Sequence, residues 1–300
     1  MSVYLKRDDL IHPQISGNKW RKLKYNLMLA RRQGYDTLLT FGGAYSNHIH
    51  AVAAAGRVCG FQTVGVIRGQ VVDNPTLRAA QQSNMRLLFV DRETYRRRHT
   101  PELLEKLKLR FGRVYVLPEG GSNLAALPGV TEVVTELNAQ LSHYDLLVCA
   151  AGTGATLAGL VCGLRGQRHV MGISVLRDGS WLANDVRRWL NDSAAGAWDN
   201  WHIETDFHHG GYARATPPLQ AFISQFTQVT GVPLDHVYTG KMLFALYALI
   251  EQGRIARDST VVALHTGGVQ YDAQWQPLHA IDATPLEVPL PTADVVPNPL

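Results

Sequence analysis

Apolar and polar residues follow two alternating patterns along this chain. Short runs rich in β-branched residues are typical of buried strands, whereas longer runs with apolar residues every three or four positions are typical of amphipathic helices. The strands predicted in this way cover residues 37–41, 62–67, 86–90, 113–117, 144–150, 169–175 and 260–265. The predicted helices cover residues 19–33, 46–59, 74–83, 101–110, 130–142, 155–164, 217–230 and 241–252.

Strand–helix alternation of this kind predicts an α/β fold with open, mainly parallel twisted sheets and helices on both faces. In such sheets, ligands bind where the carboxyl ends of strands meet the amino ends of helices. Two glycine-containing segments have this position, each after a predicted strand and before a predicted helix. They are TFGGAYSNHIHAVAAAG, residues 40–56, and VCAAGTGATLAGL, residues 148–160.

The second segment has the features of an anion cradle. Gly152 and Gly154 allow a tight turn, and the helix that begins at Ala155 presents unpaired amide hydrogens that suit a phosphate group. Thr153 and Thr156 add hydroxyl donors. The segment matches neither a Walker A motif nor a dinucleotide fingerprint, so a nucleotide is the weaker choice of ligand. A glycine-rich packing turn remains the alternative interpretation.

The first segment offers polar side chains at the start of a helix. Ser46 occupies a position typical of a helix N-cap, which is one explanation for it. The other explanation places Ser46 and Asn47 above the sheet beside a ligand. His48 and His50 are two positions apart and do not share a helix face, so we predict no metal site here.

Lys19 is open to two interpretations. It lies in the run KWRKLK, where a solvated charge is the simplest explanation. A nucleophilic lysine would need surroundings that lower its pKa, through burial or a nearby cation. Lys22, one helical turn later, could supply that second positive charge.

Composition narrows the function classes. The 300 residues are 46% hydrophobic and 18% charged with a net charge of +4, as in ordinary globular proteins, and no basic patch with aromatic residues indicates nucleic-acid binding. No apolar run reaches the roughly 18 residues of a membrane span. The cysteines, Cys59, Cys149 and Cys162, lack the number and spacing of a disulfide framework or a zinc site. We therefore expect a cytoplasmic protein with a small-molecule partner.

Seven motifs, taken together, resemble a known family. They are LKRDDL…SGNKWRKLKY, GGAYSNH…AAAG, EGGSN, AGTGATLAGL, GGYA, VYTGK and ALHTGG, and they extend from about residue 4 to about residue 268. Their order is similar to that in the D-cysteine desulfhydrase and 1-aminocyclopropane-1-carboxylate (ACC) deaminase family. That family belongs to the tryptophan-synthase-β-like, fold type II enzymes that use pyridoxal 5'-phosphate (PLP). The resemblance implies two open, mainly parallel sheets and PLP as the cofactor.

The resemblance also implies how the chain holds PLP. Lys19 would bind the cofactor covalently and then move the substrate proton. Lys22 would reach the phosphate, together with the loop residues Gly152, Thr153, Gly154, Ala155 and Thr156. An amine, a phosphate cradle and a partner for the ring nitrogen are what this cofactor needs from a protein.

The remaining implied roles concern the cofactor ring and the substrate. Asn47 would hydrogen-bond the 3'-oxygen of the ring, and Thr266 would face its nitrogen. Ser46 would contact the substrate carboxylate region and is a candidate nucleophile or acid–base partner. Tyr212 and Tyr238 would line the substrate side, so we group them with Lys19 and Ser46 as catalytic candidates.

Two positions indicate the substrate class. Thr239 and Thr266 resemble the residues of the desulfhydrase branch at these two positions. A glutamate and a leucine there would resemble the deaminase branch. The sequence therefore favours elimination from D-cysteine, giving pyruvate, sulfide and ammonia. The alternatives are ACC deamination or an eliminase or racemase acting on another small D-amino acid. At position 45 a glutamine would resemble the family, but this chain has a tyrosine. Tyr45 is therefore expected to crowd or reshape the pocket.

Domain organisation follows the same resemblance. A smaller α/β domain is expected over residues 22–125, and a larger PLP-binding domain over residues 1–21 plus 126–300. Residues 285–300 are rich in proline and are expected to form a loose tail. The family resemblance also implies a homodimer. Alternatives outside the enzyme class are a catalytically silent PLP-binding protein and an unrelated nucleotide-binding α/β protein.

Overall fold

The computed structural model describes residues 1–15, 17–193, 196 and 198–268. Its strands are β1 Ser2–Arg7, β2 Thr37–Gly43, β3 Gln62–Arg68, β4 Met85–Val90, β5 Val114–Leu117, β6 Leu146–Ala151, β7 His169–Ser174, β8 Trp201–Glu204 and β9 Thr260–His265. Its α-helices are α1 Asn18–Arg32, α2 Asn47–Cys59, α3 Pro75–Gln82, α4 Arg92–Arg96, α5 Pro101–Phe111, α6 Leu127–Gln140, α7 Ala155–Leu164, α8 Leu182–Asp192, α9 Pro217–Thr230 and α10 Thr239–Glu251.

The described strands form two parallel sheets. The five-stranded sheet has the order β1-β9-β6-β7-β8, and the four-stranded sheet has the order β4-β3-β2-β5. Every pairing between neighbouring strands in the two sheets is parallel. This confirms the predicted α/β fold with two parallel sheets and helices on both faces.

Alternation along the strands divides each sheet between two apolar layers. In β6, Leu147 and Cys149 pack with residues of α6, α7 and α8, whereas Val148 and Ala150 pack with α10 on the opposite face. The four-stranded sheet is covered in the same way, by α1, α2 and α3 on one face and by α4 and α5 on the other. Both faces of each sheet are buried, which explains the almost continuous apolar runs of these strands.

Helix α1 is fixed to the segments that follow the neighbouring strands β1 and β9 and to helix α6. The Arg21 guanidinium is buried and donates to carboxylate oxygens of Asp8 at 2.9 Å and Glu136 at 2.8 Å. Before the helix, Gly17 has a φ of 64° and its amide donates to the Asp8 carbonyl at 3.0 Å. The Asn18 amide donates to the Thr266 carbonyl at 3.3 Å, so the first turn of α1 starts beside the end of β9.

Four observed elements are not predicted by the hydrophobic pattern: β1, β8, α4 and α8. The four-stranded sheet extends from Thr37 to Leu117, inside the predicted smaller domain of residues 22–125, and the domain boundaries stay predictions. The proline-rich stretch 285–300 lies outside the described residues.

Candidate active site

A small pocket lies where the start of α1 approaches α2 and the end of β9. It is lined by Asn18, Lys19, Asn47, Tyr238, Thr266, Gly267 and Gly268. Four residues singled out in the sequence are therefore together in one pocket, although they come from parts of the chain more than 200 positions apart.

Lys19 lies in the first turn of α1 and is partly buried at this pocket. Burial lowers the pKa of its amine to about 8, against the opposing effect of the Asp235 carboxylate. A desolvated ammonium is destabilised relative to the neutral amine, and a lysine with such a pKa is a nucleophile near neutral pH. The structure thus gives Lys19 the lowered pKa that a nucleophilic lysine requires.

Lys22 lies one turn further along α1 and is buried in a polar niche. Its Nζ donates to the Ser122 hydroxyl at 3.3 Å and to the Gly120 carbonyl at 3.4 Å, which are long contacts for an ammonium group. Burial, and then the positive charge of Lys19, lowers the pKa of Lys22 well below its usual value. A buried amine with such weak partners is well suited to an additional anion.

The glycine-rich loop before α7 is next to this niche. The Ser122 and Thr153 hydroxyls are hydrogen-bonded at 2.7 Å, which connects Lys22 to the loop through one side chain. Gly154, with a φ of 77°, precedes Ala155 at the start of α7, where amide groups without helical partners begin. The loop and Lys22 are therefore neighbours, and their role as an anion cradle stays a prediction.

Thr156 and Gly152 connect this loop to the pocket. The side-chain amide of Asn18 donates to the Thr156 hydroxyl at 3.1 Å. A Cβ added at Gly152 would lie 3.1 Å from Cε1 of Tyr238, so a larger residue would crowd that ring. The five predicted loop residues 152–156 are therefore placed between Lys22 on one side and the pocket on the other.

The start of α2 supplies the opposite wall. Ser46 is the N-cap of α2, and its hydroxyl accepts from the Ile49 amide at 3.3 Å, so the structural explanation of this serine holds. Asn47 follows, and its Oδ1 is buried with no hydrogen-bond partner among the described residues. An unpaired buried amide oxygen facing a pocket is typical of a ligand contact.

His48 lies behind this wall, at the base of the site. Its Nε2 is hydrogen-bonded to the Thr40 hydroxyl at 2.8 Å. Burial, and then the charges of Lys19 and Lys22, lowers the pKa of His48 well below its usual value. His48 is therefore neutral at neutral pH and adds no third positive charge to the site.

Tyr212 and Tyr238 form the outer rim. Their rings meet edge to face with centroids 6.2 Å apart, and Tyr212 is 47% exposed. Burial of the phenol group raises the pKa of Tyr212. Tyr45 is 60% exposed, so its side chain extends toward solvent and the expected crowding of the pocket is not observed.

Asp235 organises the start of α10 below Tyr238. Its carboxylate accepts from the amides of Val237 at 2.8 Å, Tyr238 at 2.7 Å and Thr239 at 2.9 Å. The Thr239 hydroxyl donates a fourth bond at 2.7 Å. A buried carboxylate at a helix amino end is favoured by these amides, and it fixes the backbone that carries Tyr238.

These features fit an aldehyde-bearing phosphate cofactor. The site has an amine of lowered pKa, a second buried amine beside a glycine-rich loop, and an unpaired amide oxygen on Asn47, which lines the same pocket as the first amine. Together with two parallel sheets, this arrangement defines the class of fold type II PLP-dependent enzymes.

Comparison with known proteins agrees with this class. The sequence family described as "Pyridoxal-phosphate dependent enzyme" matches residues 1–267. The chain therefore belongs to this family of enzymes, and PLP is its cofactor.

The relatives are named for two activities, ACC deamination and D-cysteine desulfhydration. A Thermotoga maritima protein provisionally named 1-aminocyclopropane-1-carboxylate deaminase is 33% identical over 89% of each chain. The Arabidopsis thaliana bifunctional D-cysteine desulfhydrase/1-aminocyclopropane-1-carboxylate deaminase is 31% identical over 89% of this chain and 72% of its own. A solved ACC deaminase homologue superposes with a TM-score of 0.81 at 29% identity, over 90% of this chain and 85% of that one.

Several contributors to the site are not predicted from the sequence. Asp235, His48 and the Lys22 partners Gly120 and Ser122 are recognised only in the structure. The EGGSN motif is a signal for the last two, but no spacing rule connects it to Lys22. The structure brings Lys19, Asn47, Tyr238 and Thr266 together in one pocket, whereas Ser46 and Tyr212 are not among its lining residues. The individual roles of all these residues stay predictions.

The described part of the chain offers neither a metal site nor a membrane-spanning helix. No group of three or more histidine, cysteine or acidic residues is placed to hold a metal ion there. None of the helices described above has the length and apolar character needed to cross a membrane.

Proposed function

We propose that this chain catalyses PLP-dependent elimination of the β-substituent of a small amino acid, with D-cysteine as the preferred substrate. The products are pyruvate, hydrogen sulfide and ammonia. The observation that carries the proposal is the position of Lys19, whose amine of lowered pKa faces a pocket next to an anion cradle.

Named residues would hold the cofactor. Lys19 would attach to its aldehyde carbon, and Lys22 with the loop 152–156 would bind its phosphate. Asn47 would hydrogen-bond the ring oxygen, and Thr266, which lines the pocket, would meet the ring nitrogen. When bound, PLP withdraws electrons from the α-carbon of the attached amino acid.

Lys19 then acts as the base. Its free amine would remove the proton on the α-carbon, and its lowered pKa of about 8 suits a general base. The C–S bond breaks with its electron pair on sulfur, and a proton completes hydrogen sulfide. The remaining 2-aminoacrylate reacts with one water to give pyruvate and ammonia, which balances the reaction.

Thr239 supports the choice of D-cysteine over ACC. Its hydroxyl both accepts from the Asp235 amide at 3.0 Å and donates to the Asp235 carboxylate at 2.7 Å. A glutamate at this buried position would put a second negative charge against Asp235, which is unfavourable. The local charge distribution therefore suits threonine, the residue of the desulfhydrase-like sequence pattern.

The experiment is a product assay on purified, PLP-loaded protein with a panel of D- and L-amino acids and ACC. We expect sulfide, pyruvate and ammonia in equal amounts from D-cysteine, and a loss of about 10²–10⁴-fold in the Lys19→Ala variant. 2-Oxobutanoate and ammonia from ACC alone would instead support the deaminase alternative. Absence of product from every amino acid would support a silent homologue.

The proposal also covers the domain organisation, the oligomeric state and the cellular location of the protein. We place the smaller domain at residues 22–125 and the PLP-binding domain at residues 1–21 plus 126–300, with the cofactor between them. We further propose a homodimer that acts in the cytoplasm, because the family resemblance points to a dimer and the composition is that of an ordinary globular protein. Light scattering of the purified holoenzyme tests the dimer.

A further inference from the structure

A second buried lysine lies outside the contacts described so far. Lys241, in the first turn of α10, is 0% exposed. Its Nζ donates to the Gly211 carbonyl at 2.7 Å and to the Val175 carbonyl at 3.4 Å. Burial lowers the pKa of this amine to about 8, against the effect of Asp235. An apolar side chain would avoid the desolvation of an ammonium group, so the lysine calls for an explanation.

The segment 208–214, which Lys241 contacts, has an unusual backbone. Four of its residues have positive φ: His209 at 50°, Gly210 at 92°, Gly211 at 108° and Ala213 at 56°. For residues other than glycine, each such conformation costs about 1–3 kcal/mol and persists only when neighbouring groups impose it. The segment therefore needs external contacts to keep its shape.

Few hydrogen bonds inside the segment provide that restraint. The Gly211 amide donates to the His208 carbonyl at 3.0 Å, the Gly210 amide donates to His208 Nδ1 at 3.0 Å, and the Arg214 amide donates to the Gly211 carbonyl at 3.1 Å. The Gly211 carbonyl therefore accepts from both Arg214 and Lys241. Lys241 belongs to α10 and joins the segment to that helix by a hydrogen bond, beside the edge-to-face contact of the His209 ring with Phe244 of the same helix at a centroid distance of 4.5 Å.

The position of Tyr212 gives this contact a consequence. Tyr212 is in the segment, and its ring meets that of Tyr238 edge to face. Tyr238 lines the Lys19 pocket and directly precedes α10. Lys241 is three residues after Tyr238, so a single helical turn carries one tyrosine and holds the loop of the other.

We propose that Lys241 is a positioning residue, which holds segment 208–214 so that Tyr212 stays against Tyr238 at the rim of the Lys19 pocket. The inference rests on the proposed function in one respect, that these tyrosines face the substrate. The restraint on the segment itself is independent of which amino acid reacts.

Limited proteolysis tests the restraint without any substrate. Arg214 is an exposed trypsin site at the end of the segment, and Arg257, in the turn between α10 and β9, is an internal reference. In PLP-loaded Lys241→Met, we expect cleavage after Arg214 to be about tenfold faster than in the parent and cleavage after Arg257 to be unchanged. Equal cleavage after Arg214 in both proteins would overturn the proposal.

A double-mutant cycle tests whether Lys241 acts through Tyr212. We expect Lys241→Met and Tyr212→Phe each to lower kcat/KM about ten- to a hundredfold. The double variant should lose no more activity than the less active of the two single variants. Fully additive losses would contradict a shared role. If Lys241→Met does not fold, Lys241→Gln serves both experiments, because its shorter side chain cannot reach both carbonyls.

The two proposals fail in different ways. A protein that shows no activity on D-cysteine but faster cleavage after Arg214 in the Lys241 variant would reject the substrate and keep the positioning role. A protein that is active on D-cysteine but unchanged in cleavage and turnover by the Lys241 substitution would do the reverse.

Discussion

Lys19 and Lys22 share one helix face, yet they are placed for different tasks. Both amines are desolvated, and the charge of Lys19 lowers the pKa of Lys22 further. Lys19 faces the pocket, where a carbonyl carbon can reach it, whereas Lys22 faces the Ser122 niche and the phosphate cradle. These positions fit the proposed roles of Lys19 as the nucleophile and Lys22 as a phosphate contact.

The lowered pKa of Lys19 predicts a pH dependence. Only the neutral amine reacts with an acylating reagent, and the fraction of neutral amine rises about tenfold per pH unit below the pKa. In cofactor-free protein we expect acetylation of Lys19 by acetic anhydride to increase with pH and level off above a midpoint near 8. Peptide mass spectrometry across the pH range measures it, and a midpoint above 10 would contradict burial of the amine.

Replacement of Lys22 should have opposite effects on folding and on cofactor binding. Lys22→Met removes a poorly compensated buried amine, so we expect a higher unfolding midpoint for the cofactor-free protein. The same change removes a charged contact to the phosphate, which should weaken PLP binding about ten- to a hundredfold. Calorimetry and a PLP titration measure the two effects.

Lys24 is the matched control for this experiment. It lies on the same helix but pairs with Glu132 at 2.7 Å at the protein surface. Lys24→Met should leave PLP affinity unchanged within about twofold, because surface ion pairs contribute little. Equal loss of PLP affinity in both variants would mean that general destabilisation of α1, and not a phosphate contact, is responsible.

The sequence alone allowed a role to be predicted for some site residues and not for others. The alternatives for Lys19 and Ser46 stayed open on spacing alone, and the family resemblance was needed to favour a chemical role for Lys19. Asp235 and His48 could not be assigned, because their partners are distant in the chain or depend on a burial that spacing does not reveal. Ser46 shows the reverse case, since its N-cap role was visible from the sequence.

At the scale of elements, the approach of α1 to β9 fixes the pocket. Gly17 adopts φ 64° and ψ −142°, a conformation that glycine alone adopts readily. A Cβ at this position would lie only 1.9 Å from the Thr266 carbonyl oxygen. The first turn of α1 can therefore reach the end of β9 only because residue 17 has no side chain.

Gly17→Ala should consequently displace the start of α1. We expect a loss of stability of more than about 3 kcal/mol, from backbone strain and the clash together, and weaker PLP binding. Gly69→Ala is the matched control, because Gly69 also has positive φ, at 108°, but has open space around it. Chemical denaturation should give the control a loss of about 1–3 kcal/mol from strain alone, with normal PLP affinity.

The two strands missed from the sequence share a physical cause. β1 and β8 are the two edge strands of the five-stranded sheet and are mostly exposed or half-buried, so they lack the continuous apolar run of a central strand. α8 buries only Leu182, Val186 and Leu190 among charged neighbours. Central strands were predicted because both of their faces are covered.

At the scale of the whole molecule, the site combines parts of both sheets. The niche of Lys22 uses Gly120 and Ser122, which follow the four-stranded sheet, whereas Thr153 follows β6 of the five-stranded sheet. Hydrophobic patterning predicted all four strands of the smaller sheet and three of the five strands of the larger one, but not how the two sheets are placed together. That relation depends on contacts such as the Ser122–Thr153 hydrogen bond, which have no signature in sequence spacing.

The central claim is that Lys19 is the amine that binds PLP. Reduction of the PLP-loaded protein with borohydride, followed by peptide mass mapping, makes that bond permanent and locates it. We predict a single pyridoxyl modification on the peptide that contains Lys19 and no modification in the Lys19→Ala variant. A modification on Lys22 or Lys241 instead, or none on any lysine, would contradict the account.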